Sequence, residues 1–379
     1  MKKVEILKTS RSTTVPDRPA TASPVLAPRI VVKPRPTPTD DATIPADPAP
    51  RTMREAVRFV TDIGDIMESI SEIMTTCPNF NVISAIGPQG SGKSTVLSML
   101  AGNNSRQMYR EYYFRPVSRE ANEQSRHQTI LIDIYVTNHQ IFLDCQPMHS
   151  FSIMEGLPKL IGGKLNDEAA QNDTLRLTAF LLFVSHTVLV VSETHFDKSI
   201  IDTIRAAELI RPYLPNFRPK LKIDRKTHLI FIKSKASTID VQHPVVIREK
   251  EELLRLVFQD SKWLKVSEEP FKVLIPLEEI RIRREKLHDG ANNENEKEEP
   301  DETKLNEFDE AIGRLRDELR RNREEFTVEV AAMDEKKWVE MCREVIRDKT
   351  LHKSLKDFEY NRTYTFPGHS QFQLSRRPL

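Results

Sequence analysis

The chain has 379 residues, with 57 Lys+Arg against 56 Asp+Glu and only three cysteines. A formal charge of +1 gives no global attraction for phosphate polymers, so contact with nucleic acid would need a local basic patch. The longest nearly apolar run, Ala179 to Val191, is 13 residues and contains Ser185, His186 and Thr187; a membrane span needs roughly 20 apolar residues, so none is expected.

Met1, Lys2 and Lys3 are followed by only Val4, Ile6 and Leu7 before polar sequence resumes, which is no core for a signal peptide. A cytoplasmic protein is expected. Cys77, Cys145 and Cys342 lie far apart and read as reduced thiols, without zinc-ligand spacing. His127, His186 and His195 also lack metal-ligand spacing and read as structural.

Ten of the 24 prolines fall within residues 1–50, among Ser, Thr, Ala and Asp. Such a stretch buries too little surface to offset its ordering entropy, so residues 1–52 are expected to be a disordered extension with polyproline character. Ser23-Pro24 and Thr37-Pro38 are candidate modification or docking points within it. Between Met53 and Met74, the apolar residues Val57, Val60, Ile63, Met67, Ile70 and Met74 recur at three- and four-residue intervals, which predicts a helix opening the folded domain.

Phe80 to Ile86 then reads as a buried strand running directly into GPQGSGKST, after which Val96 to Ala101 continues as a helix. A hairpin is predicted at Thr129 to Thr137 and Gln140 to Asp144 around Asn138 and His139. Beyond it, a helix at Leu175 to Phe183 and a strand at Thr187 to Ser192 begin a regular alternation. It continues as helix Ser199 to Ile210, strand Thr227 to Ile232, helix Ile247 to Phe258 and strand Phe271 to Pro276. The pattern predicts an α/β domain over residues 53–280, with about six mostly parallel strands covered by helices on both faces.

Residues 281–303 turn charged and polar, as expected of an exposed acidic insertion. Leu305, Phe308, Ile312, Leu315 and Leu319 then form a helical stripe, and Asp334 is placed to cap a last helix in which Trp338, Met341, Cys342 and Val345 share a face. Residues 304–357 are thus expected to complete the sheet domain, and residues 358–379 to form a flexible tail.

Gly87-Pro-Gln-Gly-Ser-Gly92-Lys93-Ser94 fits GxxxxGK[ST] in full, between a strand and a helix. Glycines let successive backbone N–H groups converge on phosphate oxygens, and the helix N-terminus adds favourable partial charge. The nucleotide-contacting set is therefore Gly87, Gln89, Gly90, Ser91, Gly92, Lys93, Ser94 and Thr95. Lys93 would reach the β- and γ-phosphates and the Ser94 hydroxyl would ligate Mg²⁺. Asp144, ending an apolar strand, is the candidate Walker B carboxylate for Mg²⁺, and Thr129 a second candidate hydroxyl. The alternative is a loop that keeps its shape without binding nucleotide.

In the order of these motifs the chain resembles the Ras-like G domains of the P-loop NTPases. It departs from them in two places. Asp144 is followed by Cys145-Gln146-Pro147-Met148, so proline, which lacks an N–H, stands where the family has the glycine that contacts the γ-phosphate. Without that group intrinsic hydrolysis is expected to be slow, and Gln146 is one place out of register for orienting water. The base-reading Asn/Thr-Lys-x-Asp is replaced by Ser234-Lys235-Ala236-Ser237. Lys235 can still stack on a base, but the guanine-reading carboxylate is missing, leaving GTP/GDP and ATP both open.

The loop with its following VLSML, Arg126-His-Gln-Thr-Ile130 ahead of the hairpin, FLDCQP, and the proline-rich extension together resemble the G-domain-like subunits of the nonsense-mediated mRNA decay kinase complex. The resemblance implies a regulatory and scaffolding subunit with nucleotide at its G domain. It further implies a heterodimer with a second G-domain-like decay factor, and association with a large phosphatidylinositol-kinase-like protein kinase.

A second class, an active P-loop NTPase or phosphotransferase, remains open; Arg281, Arg283 and Arg284 are the compact arginine cluster a transferase lid would draw on. Direct RNA contact is suggested only by Tyr109, Arg110, Tyr112, Tyr113, Phe114 and Arg115, which interleave aromatic and basic residues. Packing against the body or a partner is the preferred reading of that segment.

Overall fold

A computed structural model describes residues 53–62, 64–102, 112–153, 155, 167–193, 197–210, 226–236, 244–274, 305–329 and 333–347. The expected extension at 1–52, the acidic insertion, the arginine cluster, His195, and the tail lie outside them. Seven strands form one sheet: β1 (Val57–Arg58), β2 (Asn81–Ile86), β3 (Ile132–Val136), β4 (Gln140–Cys145), β5 (Thr187–Ser192), β6 (Thr227–Lys233) and β7 (Leu264–Val273). Their order is β1-β3-β4-β2-β5-β6-β7. Pairing is antiparallel for β1 with β3 and β3 with β4, and parallel elsewhere.

The helices are α1 (Ile70–Ile73), α2 (Lys93–Ala101), α3 (Arg119–Glu123), α4 (Asp167–Val184), α5 (Lys198–Leu209), α6 (Pro244–Phe258), α7 (Leu305–Glu329) and α8 (Glu335–Arg347). None among the described residues is long and apolar enough to cross a membrane.

Period-two alternation in the central strands divides the core. Val82, Ile86, Val188, Val190, Leu229 and Phe231 meet α4, α5, α6 and α8 on one face. Ile83, Ala85, Leu189, Val191, Ile230 and Ile232 meet α2 and α7 on the other. With both faces covered, every residue of β2, β5 and β6 is buried. The expected α/β class is therefore the observed one, with a seventh, two-residue edge strand.

Two elements differ from the sequence reading. The helix predicted over Met53 to Met74 is instead β1, a turn and the single-turn α1. Thr61 N–H donates to Asp65 O (2.7 Å) and Gly64 N–H to Thr61 O (2.8 Å) with Gly64 at φ 78°, so Val60 and Ile66 face each other across a tight antiparallel bridge. Spacing of three and four also arises when a turn brings two short arms onto one core. The last strand starts at Leu264 rather than Phe271: its Lys265, Glu268 and Glu269 are exposed on a sheet edge, which hides an apolar signature.

The C-terminal helices pack on the same sheet domain. Asp334 caps α8 by accepting from Lys337 N–H at 2.8 Å. Trp338 is fully buried, stacked on Phe59 with centroids 5.7 Å apart, and its indole N–H donates to Val184 O at 2.9 Å. Ile312, Leu315 and Leu319 of α7 fill the opposite face as their spacing predicted.

Candidate functional site

The loop between β2 and α2 is held open by backbone geometry that only glycine tolerates. Gly87, Gly90 and Gly92 have φ of 147°, 76° and 84°. A Cβ on Gly87 would lie 1.9 Å from the Val191 carbonyl oxygen, so the loop grazes the end of β5. From the β6 side, Ser234 Oγ donates to Ser91 O at 2.6 Å. Lys93, 7% exposed, folds back to donate to Gly87 O (3.1 Å) and Pro88 O (3.0 Å), which places its ammonium inside the loop.

The three residues assigned to the cation converge. Ser94 Oγ donates to Asp144 Oδ2 at 2.6 Å, and Thr129 Oγ1 donates to the same oxygen at 2.9 Å. Asp144 Oδ1 is buried and has no hydrogen-bond partner among the described residues. Burial pushes the Asp144 carboxyl up, against the lowering pull of Lys93, Ser94 and Thr129. Burial likewise pushes the Lys93 ammonium down, offset in part by Asp144. A buried cation, a carboxylate with an orphan oxygen and two hydroxyls are a donor set that fits phosphate and a hard divalent cation, which takes few protein ligands alongside phosphate oxygens and water. Among the described residues no group of three or more His, Cys, Asp or Glu is placed to hold a metal ion, so a site of the zinc kind is not present there.

Thr129 does not open β3, which starts three residues later at Ile132. It reaches Asp144 because Leu131 takes the left-handed conformation (φ 57°), held by Gln146. The Gln146 side-chain oxygen accepts from Leu131 N–H (2.9 Å), its backbone N–H donates to Leu131 O (2.7 Å), and Nε2 donates to Asp173 Oδ2 (2.9 Å). Gln146 is thus committed to positioning Thr129's segment. Met148 N–H donates to Gly87 O at 2.9 Å, tying the residues after β4 to the loop.

No protein-family model matches the chain. It is 69% identical over 366 residues to the nonsense-mediated mRNA decay factor SMG9 of Caenorhabditis elegans, across 95% of this chain and 93% of that protein. The chain belongs to the SMG9 family of nonsense-mediated mRNA decay factors. SMG9 of Caenorhabditis briggsae is 66% identical over 372 residues, covering 94% of this chain and 96% of its own. SMG9 of Salmo salar is 31% identical over 173 residues, covering 44% and 34%. Among solved structures, the chain is similar to a bacterial selenocysteine-specific elongation factor EF-Sec (13% identity, TM-score 0.28, 57% of this chain and 30% of that one). It is also similar to the Saccharomyces cerevisiae Ski7 GTPase-like domain bound to GDP and inorganic phosphate (14%, 0.29, 55% and 45%). These TM-scores add nothing to the fold, which stands on its own strand order and loop.

In this SMG9-family chain, Lys235 lies beside the phosphate loop and pairs with Glu193, a residue the sequence reading did not single out. Glu193 Oε1 and Lys235 Nζ lie 3.7 and 4.0 Å from the position of a Cβ on Gly90. The available signal was an acid just past the carboxyl end of β5, the edge where open α/β sheets hold ligands. A second omission is the cluster of Gln89 with Ser150 and Ser152, joined by long-range contacts that no local motif encodes. His127 and His186, both read as structural, are hydrogen-bonded within the fold: His127 Nδ1 lies 2.6 Å from Ser152 Oγ of that cluster, and His186 accepts Val82 N–H at 2.7 Å. Tyr113 and Phe114 are spent on packing: Tyr113 stacks on Tyr135 at 4.4 Å, and Phe114 is buried with its N–H on Ser98 Oγ.

Proposed function

We propose that this SMG9-family protein is a nucleotide-binding regulatory and scaffolding subunit of the nonsense-mediated mRNA decay kinase complex. The observation that carries it is the convergence of Ser94 and Thr129 hydroxyls on the buried Asp144 carboxylate beside Lys93. Backbone N–H groups from Gly87 to Thr95 and the start of α2 would hold the phosphates of GTP, GDP or ATP, with Lys93 neutralising their charge. Ser94, Asp144 and Thr129 would hold Mg²⁺, which supplies charge neutralisation between phosphate oxygens and the carboxylate. Lys235, with Glu193, flanks the base side. Thr129 and Asp144 carry the state of the site into the segments around β3 and β4, surfaces on which a partner can read it. The partners fitting this reading are a second G-domain-like decay factor, as a heterodimer, and a large phosphatidylinositol-kinase-like protein kinase. Direct RNA contact is not part of it, since Tyr113 and Phe114 are engaged in the fold. A cytoplasmic location goes with the reading.

A slow P-loop NTPase is the second reading, favoured by the intact Lys93, Ser94 and Asp144. Against efficient turnover, Gln146 is hydrogen-bonded away from the site and Pro147 has no N–H. Titration with GTP, GDP and ATP in Mg²⁺, followed by single-turnover hydrolysis, tests both. Binding abolished by Lys93→Ala with no hydrolysis above background supports the regulatory subunit. Steady turnover abolished by the same substitution would replace it with the NTPase.

A further inference from the structure

Gln89 extends from the phosphate loop into a polar cluster built from both flanking segments. Its Nε2 donates to Ser125 O at 3.0 Å, ahead of β3. Its Oε1 accepts from Ser152 Oγ at 3.0 Å and from Ser150 Oγ, both beyond β4. The two serine hydroxyls are 2.8 Å apart, and Ser152 Oγ is 2.6 Å from His127 Nδ1. Each hydroxyl has one proton, yet the pair enters four short contacts: two with Gln89 Oε1, one with each other and one with His127. The network therefore contains interchangeable bonds, and a stronger acceptor can take over a hydroxyl's hydrogen bond from the side chain of Gln89, which is only half-buried.

The backbone offers little competition for that role. Pro147 has no N–H, and the Met148 N–H is given to Gly87 O. Beyond Met148, the side-chain hydroxyls gathered on the loop residue Gln89 are those of Ser150, which is buried, and Ser152. The cluster is anchored on the stretch of loop that Lys93 lines: Lys93 Nζ donates to Gly87 O and Pro88 O, and Gln89 is the next residue.

We propose that Ser150, Ser152 and His127, gathered on Gln89, form the seat of the terminal phosphoryl group of a bound nucleoside triphosphate, distinguishing triphosphate from diphosphate without a backbone N–H from Pro147. The proposal rests on the nucleotide reading above. A phosphoryl oxygen entering the cluster displaces Gln89 as the acceptor, so the segments before β3 and after β4 rearrange together. Diphosphate leaves the Gln89 clasp in place.

The test titrates the full chain with GTP, GDP, ATP and ADP in Mg²⁺, as wild type, Ser150→Ala/Ser152→Ala, His127→Ala and Ser152→Thr. The ratio of triphosphate to diphosphate affinity is expected to fall about tenfold in the double variant. His127→Ala should lower it less, Ser152→Thr should retain it, and diphosphate affinity should stay within about twofold throughout. Hydrogen exchange on the wild type supplies a readout independent of the variants' folding: triphosphate, and not diphosphate, changes protection at 125–130 and 148–153 together. Equal losses for both nucleotides in a folded double variant, or an unchanged ratio, would overturn the proposal. So would identical exchange with both nucleotides. A wild type that binds none of the four removes the nucleotide reading itself, a result distinct from a wild type that binds without discriminating.

Discussion

Asp133 and Asp144 are register partners across β3 and β4, and Arg58 of β1 pairs with Asp133 from the other side. The row places a second carboxylate against the one that receives the Ser94 and Thr129 hydroxyls. Burial, reinforced by the Asp144 charge and only partly offset by Arg58, pushes Asp133 up to about 7. The folded protein therefore holds a proton on Asp133 that the unfolded chain releases near its ordinary value of 3.8. This contribution to stability is complete below pH 4 and is lost as the pH rises through about 7.

Asp133→Asn removes that dependence. Urea unfolding at pH 5 and pH 8 should show the variant gaining on wild type as pH rises, by no more than about 3 kcal/mol, the part of the shift that lies above pH 5. A wild-type difference between the two pH values that persists unchanged in the variant would show that Asp133 does not titrate in this window.

Gly87→Ala should be severely destabilising for its size. The added Cβ meets the Val191 carbonyl oxygen at 1.9 Å, and φ of 147° is hostile to any L side chain. A loss on the order of 2–4 kcal/mol is expected, since backbone must move on the loop or on β5. Gly313→Ala on α7, where an added Cβ meets nothing within 4 Å, is the matched control and should be neutral or stabilising. Comparable losses in the two variants, read from denaturation midpoints, would contradict the close approach.

Trp338 ties α8 to the domain. Trp338→Ala should cost about 3–5 kcal/mol, because the indole is fully buried against Phe59 and Phe80. Trp338→Phe keeps most of the packing but leaves the Val184 carbonyl without its indole donor, a loss of about 1–3 kcal/mol. If Trp338→Phe unfolds at the wild-type midpoint, the Val184 bond contributes nothing.

What was legible in the sequence was whatever local chemistry forces. The phosphate loop needs three glycines in fixed places, and buried parallel strands such as Thr187 to Ser192 need uninterrupted β-formers. The meeting of Ser94, Thr129 and Asp144 followed from motif order, although the Leu131 kink that delivers Thr129 did not. The segment from Met53 to Met74 misled because Thr61 to Asp65 makes a turn that preserves helical spacing of apolar residues. Glu193 beside Lys235, and Gln89 among Ser150, Ser152 and His127, join positions tens of residues apart. Only the sheet order brings them together.

The most direct test of the nucleotide site is calorimetric titration of the full chain with GTP, GDP and ATP, in Mg²⁺ and in EDTA, for wild type, Lys93→Ala and Asp144→Asn. Wild type should bind at least one nucleotide more tightly with Mg²⁺, Lys93→Ala should bind none, and Asp144→Asn should lose the Mg²⁺ dependence because the carboxylate charge is gone and an NH₂ replaces one of its two acceptor oxygens. A wild type that binds none of the three, or binding indifferent to both substitutions, would contradict the account and leave the loop as a structural element of a scaffold.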